Sequence, residues 1–127
     1  EDRQLGKALA RLLVDLDLEE AKPFLKPPYG GFLTLYSLAA VRWDISLSDA
    51  ASGFLWMWAE NKVLCAMKLI PLGQTDGQKI LSTVIETISN EVAQGLDLQD
   101  DAIGYSAPGQ GIASALHETQ YTRLFRS

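Results

Sequence analysis

A single cysteine, Cys65, and a single histidine, His117, occur in the 127 residues. No disulfide can form within the chain. A closed soft-ligand metal site, which needs several Cys or His side chains, is not expected from it either. Lone-cysteine usage fits a reducing cytoplasm. Basic residues are outnumbered, 11 Lys and Arg against 16 Asp and Glu, for a net charge of −5. They form no cluster, which argues against nucleic-acid binding and against an amphipathic membrane-surface role. The longest apolar stretch, Phe54 to Leu72, is interrupted by Glu60, Asn61, Lys62 and Lys68, so no membrane span is expected. No signal peptide is visible, since the chain opens Glu-Asp-Arg-Gln and passes at once into an amphipathic pattern. Strand-type alternation is missing apart from Tyr29 to Leu35, which reads as a loop and helix start. No internal repeat or low-complexity segment occurs.

What remains is a chain that is 47% apolar and long enough for one domain, spanning 1–127, with a real core. Leu5, Leu9, Leu12, Leu13 and Leu16 place one apolar face on a helix over residues 3–19. Pro23, Pro27 and Pro28 then mark a loop. A second helix is expected from about 31 to 43, carrying Phe32, Leu35, Leu38, Ala39 and Arg42, with Trp43 at its end. Ser46 caps a third helix with Asp49 in its first turn, and Pro71 stops it near Leu69. Its middle, Phe54 to Ala59, is apolar all round, with Trp56 and Trp58 on nearly opposite sides. That pattern predicts a central helix or one at an oligomer interface. Thr75 and Gln78 read as a capping box for a fourth helix over 76 to about 94. That helix carries Ile80, Leu81, Val84, Ile85, Ile88 and Val92 on one face, and Gly95 is its C-cap. Residues 96–109 read as a loop, and a last helix runs from about Gly111 to 124. The fold class is all-α, a helical bundle of about five helices.

Few constellations carry chemistry. Gly73 to Lys79 is not a phosphate loop: Gln78 separates Gly77 from Lys79, Ile80 follows, and a helix rather than a strand precedes. It leaves a polar helix–helix corner of Gln74, Asp76, Gln78 and Lys79 that a partner could read. Gly104-Tyr-Ser-Ala-Pro108 misses the nucleophile elbow, with Pro in place of the second Gly. His117 and Glu118 are adjacent and diverge by about 100° on a helix, so they do not share an ion. Cys65 reads as a small core side chain. Lys68 sits in the otherwise apolar Val63 to Ile70; either its stem lies on the core with the ammonium in water, or it faces a cavity or a partner. The closing residues alternate aromatic, basic and polar side chains. His117, Glu118, Gln120, Tyr121, Arg123, Leu124, Phe125 and Arg126 read as a partner-docking tail, since Tyr and Arg are frequent binding hot spots. Self-packing of Tyr121, Leu124 and Phe125 is the alternative. A small all-α enzyme with a pocket between helices is the competing functional class, but no spaced acid, base or nucleophile set supports it.

The tail His-Glu-Thr-Gln-Tyr-Thr-Arg-Leu-Phe-Arg-Ser127, the turn Ile70-Pro-Leu-Gly-Gln74 and, more weakly, the opening Arg3-Gln-Leu-Gly-Lys-Ala8 closely resemble the C-terminal part of the UreF family of urease accessory proteins. With Glu rather than Met as the first residue, the chain reads as a fragment. The resemblance implies a non-catalytic scaffold that joins UreD (UreH in some species) and the GTPase UreG for nickel insertion into apo-urease. It implies that nickel and GTP belong to the partner proteins, that this chain has no cofactor of its own, and that it pairs into a homodimer. It further implies that the 70–79 turn belongs to the family signature, that Lys68 regulates access of the GTPase or of nickel, and that a missing N-terminal half covers part of the apolar surface.

Overall fold

The structure, a computed structural model, describes residues 2–104 and 107–121, the side chain of residue 118 excepted. Among the described residues there are helices and no strands, so the protein is all-α. The α-helices are α1 (Asp2–Asp15), α2 (Phe32–Arg42), α3 (Leu47–Leu69), α4 (Gln74–Leu96) and α5 (Pro108–Glu118). Short 3-10 segments occupy Glu19–Leu25 and Asp100–Ala102. The chain divides into a compact unit, Asp2–Asp97, and a second that begins at Leu98.

In the first unit, α1 buries Gly6, Ala10 and Leu13. Of the five leucines expected on its inner face, Leu9 and Leu13 reach the core, while Leu5, Leu12 and Leu16 stay about half exposed. The cause is a close approach that only glycine permits. A Cβ on Gly6 would fall on the Gly30 carbonyl oxygen, so α1 turns its smallest residues, not its largest, toward the Gly30-Gly31 loop. The helix also stops at Asp15, short of the expected residue 19. Asp17 takes a left-handed conformation (φ 64°). The Leu18 N–H then bonds back to the Leu13 carbonyl (2.9 Å) and the Asp17 N–H to Val14 (3.0 Å), which closes the helix end as a Schellman motif.

The proline-rich stretch forms no α-helix, as expected, but Glu19–Leu25 coils into 3-10 turns around Pro23. Ala21 and Leu18 from this region join Ala10, Leu13, Leu35 and Ala39 in one core, padded by Phe24, Leu25 and Leu38. The Arg42 guanidinium pairs with Glu20 across the same layer (2.6 Å). α2 runs as expected and carries no side-chain cap of its own. Instead the Asp2 carboxylate accepts the Phe32 N–H (2.9 Å), placing a negative group at the positive end of α2. α2 ends in a second Schellman motif, with Asp44 left-handed (φ 54°) and the Ile45 N–H on the Ala40 carbonyl (2.9 Å).

α3 begins where the sequence puts it. Ser46 Oγ accepts the Asp49 N–H (3.1 Å), and its hydroxyl donates to Asp49 Oδ2 (2.7 Å). It also ends at Leu69, before Pro71. The expectation of a central helix fails: α3 buries only Ala59 and Val63, and Trp58 is 53% exposed. Its main packing face is on α4, through a small core of Ala59, Val63 and Leu81 packed by Trp56, Met67 and Val84. Apolar residues all round a helix report how much surface can be covered, not that it is covered within these residues.

α4 corrects the capping box. Gly73 is the N-cap, no side chain caps, and Thr75 already lies in the first turn. Gly77 presses on α3: a Cβ there would lie 2.7 Å from Met67 Sδ. Gly95 is not the C-cap but part of the last turn, with Asp97 at the cap. Leu81, Ile88 and Val92 are buried, whereas Ile80 and Ile85 are not.

In the second unit, α5 opens with Pro108 at its first turn, where its missing N–H costs nothing. It starts ahead of Gly111 and ends at Glu118, short of the expected residue 124. Thr119 donates its hydroxyl to the Leu116 carbonyl (3.0 Å) and closes the helix.

Candidate interaction surfaces

A cleft of about 670 Å³ opens in the first unit between α2, the start of α3 and the end of α4. Leu33, Tyr36, Ala40 and Val41 line it from α2, Ile45 and Leu47 from the junction, Phe54 and Leu55 from α3, and Val92 and Leu96 from α4. Tyr36 organises the wall. Its ring stacks on Phe32 (centroids 6.0 Å apart) and meets Phe54 edge-on (5.8 Å). Its hydroxyl donates to the Ala50 carbonyl (2.7 Å), which satisfies the only polar atom of a ring set among apolar groups. Glu91 is the one charged residue of the lining. The cleft thus holds no convergent acid, base and nucleophile, and its chemistry is apolar contact. A smaller hollow of about 230 Å³ lies between α1 and α2, walled by Leu9, Leu12, Trp43 and again Tyr36.

The residues singled out from the sequence fall into two groups, one in each unit. In the first unit, Gln74, Asp76, Gln78 and Lys79 are all exposed at the start of α4. Lys79 Nζ lies 3.6 Å from Asp76 Oδ1, both side chains mostly in solvent, a pair that contributes little to stability. Lys68 is exposed in the last turn of α3, where its charge complements the negative helix end. The connection of residues 70–73 joins these two sets, so Lys68 and the polar corner share one end of the α3–α4 hairpin. Cys65 is half-buried rather than a core residue; its Sγ lies 3.8 Å from Asn61 Oδ1, and it belongs to neither core.

In the second unit, His117 is half-buried, Gln120 is exposed and Tyr121 is fully exposed, at 101% of its reference area. The Glu118 side chain and Arg123, Leu124, Phe125 and Arg126 lie outside the described residues, as do Tyr105 and Ser106 of the elbow-like string. Two residues that the sequence reading passed over belong here. Ile112 and Leu116, four apart on α5, are both largely exposed and form an apolar ridge leading to the tail. Their i, i+4 spacing was the available signal; Gly109 and Gly111 beside them obscured it.

Among the described residues, no group of three His, Cys, Asp or Glu side chains is placed to hold a metal ion. No helix among them is long and apolar enough to cross a membrane.

Comparison with known proteins gives this surface a context. The UreF family model matches residues 1–85. The urease accessory protein UreF of Alkalilimnicola ehrlichii is 54% identical over 127 residues, all of this chain and 56% of that protein. Its counterpart from Hahella chejuensis is 47% identical over 127 residues, again all of this chain and 57% of the relative. The UreF of a Marinomonas species is 41% identical over 126 residues, 99% of this chain and 54% of the relative. The chain therefore spans a little over half the length of these curated relatives. No solved structure matches it. With the family model covering most of the chain and close relatives aligned along all of it, the chain belongs to the UreF family.

Proposed function

We propose that the chain works in urease maturation as an assembly component and not as a catalyst. In this reading it joins UreD (UreH) to the GTPase UreG in the cytoplasm, so that the assembled complex inserts nickel into apo-urease. Nickel and GTP are carried by the partners, and the protein acts as a homodimer. The observation that carries the reading is the exposed series Ile112, Leu116 and Tyr121, in a chain whose relatives are named urease accessory proteins. An apolar ridge that ends in a fully exposed tyrosine and a basic, aromatic sequence has the composition of a binding hot spot. The polar corner at Gln74 to Lys79, with Lys68, supplies a second surface of different character, suited to electrostatic recognition. Two contrasting surfaces suit a protein that holds two partners.

The test is co-purification of full-length protein with UreD and UreG, with and without the last dozen residues. Loss of both partners from the shortened protein, with its helical content intact, is the expected outcome. Equal recovery of the complex and of nickel-loaded urease would remove the basis of this assignment.

A further inference from the structure

We propose that the outer face of α3 seats an amphipathic helix of a partner protein, with a partner carboxylate facing Lys62. Ala51, Leu55, Trp58, Lys62, Cys65 and Leu69 recur at alternating four- and three-residue steps. That is the a/d stripe of a heptad, the seam on which one helix packs along another. None of the six belongs to either core cluster. Ala51 and Leu55 border the cleft, and the other four continue beyond it. Trp58 is 53% and Leu69 65% exposed. Ala59 and Val63, which pack on α4, lie about 100–140° round the helix from Trp58, so this stripe is not the one that α4 covers.

The charges decide what kind of helix fits. α3 carries two lysines and two carboxylates. Lys62 and Lys68 fall within about 80° of Trp58 around the helix, whereas Asp49 and Glu60 fall about 160° or more away. A chain of net charge −5 thus offers here a stripe with cations and no carboxylate from its own helix. Lys62 Nζ lies over the Trp58 ring, 5.5 Å from its centroid, so ammonium and indole are presented together. Tryptophan is among the side chains that dominate binding energy when a partner covers them.

A single lysine at an a position fixes register and partner choice in such a seam. A wholly apolar partner would leave the Lys62 ammonium covered and unpaired, which is unfavourable. A partner carboxylate satisfies it. A second copy is a poor occupant, because its matching face brings another Lys62 and no acid. The occupant is sought among UreD, UreG and apo-urease, a choice that rests on the function proposed above.

The experiment places the photo-crosslinker p-benzoylphenylalanine at position 58, and separately at position 69, of the full-length protein. Glu86, exposed on α4, is the control position. Each protein is irradiated with purified UreD, UreG and apo-urease, singly and together, and the joined peptides are sequenced. Positions 58 and 69 are expected to capture one partner segment of heptad pattern that carries Asp or Glu, and position 86 not to capture it. Lys62→Glu should lower that product roughly tenfold, since like charges then face each other, and Lys62→Arg should keep it. Capture only of the protein's own chain, only of a second copy, or of a segment without carboxylates would each overturn the proposal. So would a product that Lys62→Glu leaves unchanged. If the complex co-purifies but neither position captures a partner, this seat is wrong and the maturation role stands. If no partner binds the unmodified protein, the maturation role fails and the proposal falls with it.

Discussion

The Tyr36 hydroxyl donates a hydrogen bond to the Ala50 carbonyl at 2.7 Å, across the junction from α2 to α3. This side-chain hydrogen bond ties the layer built on α1 and α2 to the α3–α4 hairpin. Tyr36→Phe keeps both ring contacts and removes only this bond. A net hydrogen bond contributes about 1 kcal/mol, so urea unfolding of the variant should show a loss of that size. No loss, or a loss several times larger, would mean that the hydroxyl is not acting through this single bond.

The two buried glycines give opposite expectations for one chemical change. At Gly6 an added methyl meets the Gly30 backbone, which has no rotamer to adopt. Gly6→Ala should cost about 3 kcal/mol as overpacking against a rigid neighbour. At Gly77 the obstacle is the thioether of Met67, which is flexible. The strain there is set against a helix-propensity gain of about 1 kcal/mol, so Gly77→Ala should be near neutral. Thermal unfolding of both variants checks the pair, and equal destabilisation would contradict it.

Asp44 occupies a left-handed position that glycine fills in most helix ends of this kind. Asp44→Gly relieves the Cβ penalty of that conformation at some cost in chain entropy. A gain of about 0.5 kcal/mol in chemical denaturation is expected. A clear loss would show that the Asp44 side chain makes a contribution of its own.

Lys68 is exposed and is a member of neither core cluster. Lys68→Ala should therefore leave the melting temperature within the range of ordinary surface substitutions, about 0.5 kcal/mol either way, while altering urease activation. A large fall in melting temperature, with normal activation per folded molecule, would reassign Lys68 to a structural role.

Much of this architecture is legible in the residues. The α2 span, the Ser46 cap and the stop before Pro71 each rest on a local signal that tertiary packing did not override. One group of misses arises because close backbone approach selects small residues. Gly6 and Gly77 lie where α1 meets the Gly30-Gly31 loop and α4 meets α3, and Leu5 and Leu12 stay half exposed. Both Schellman ends escaped notice because Asp, not Gly, holds the left-handed position. As for the interaction residues, the polar corner and Tyr121 are exposed. The cleft was not foreseen, because its walls come from three helices and no single stretch of sequence contains it.

The Asp2 carboxylate reaches a backbone N–H thirty positions along the chain, at the first residue of α2. The opening turn of α1 is therefore a working part of a helix it does not belong to. Any expression version that trims those few residues, or any tag that displaces them, exposes the Phe32 amide and loosens the α2 wall of the cleft. A difference between two such preparations in binding or stability would then trace to how the protein was produced, not to the surface under test.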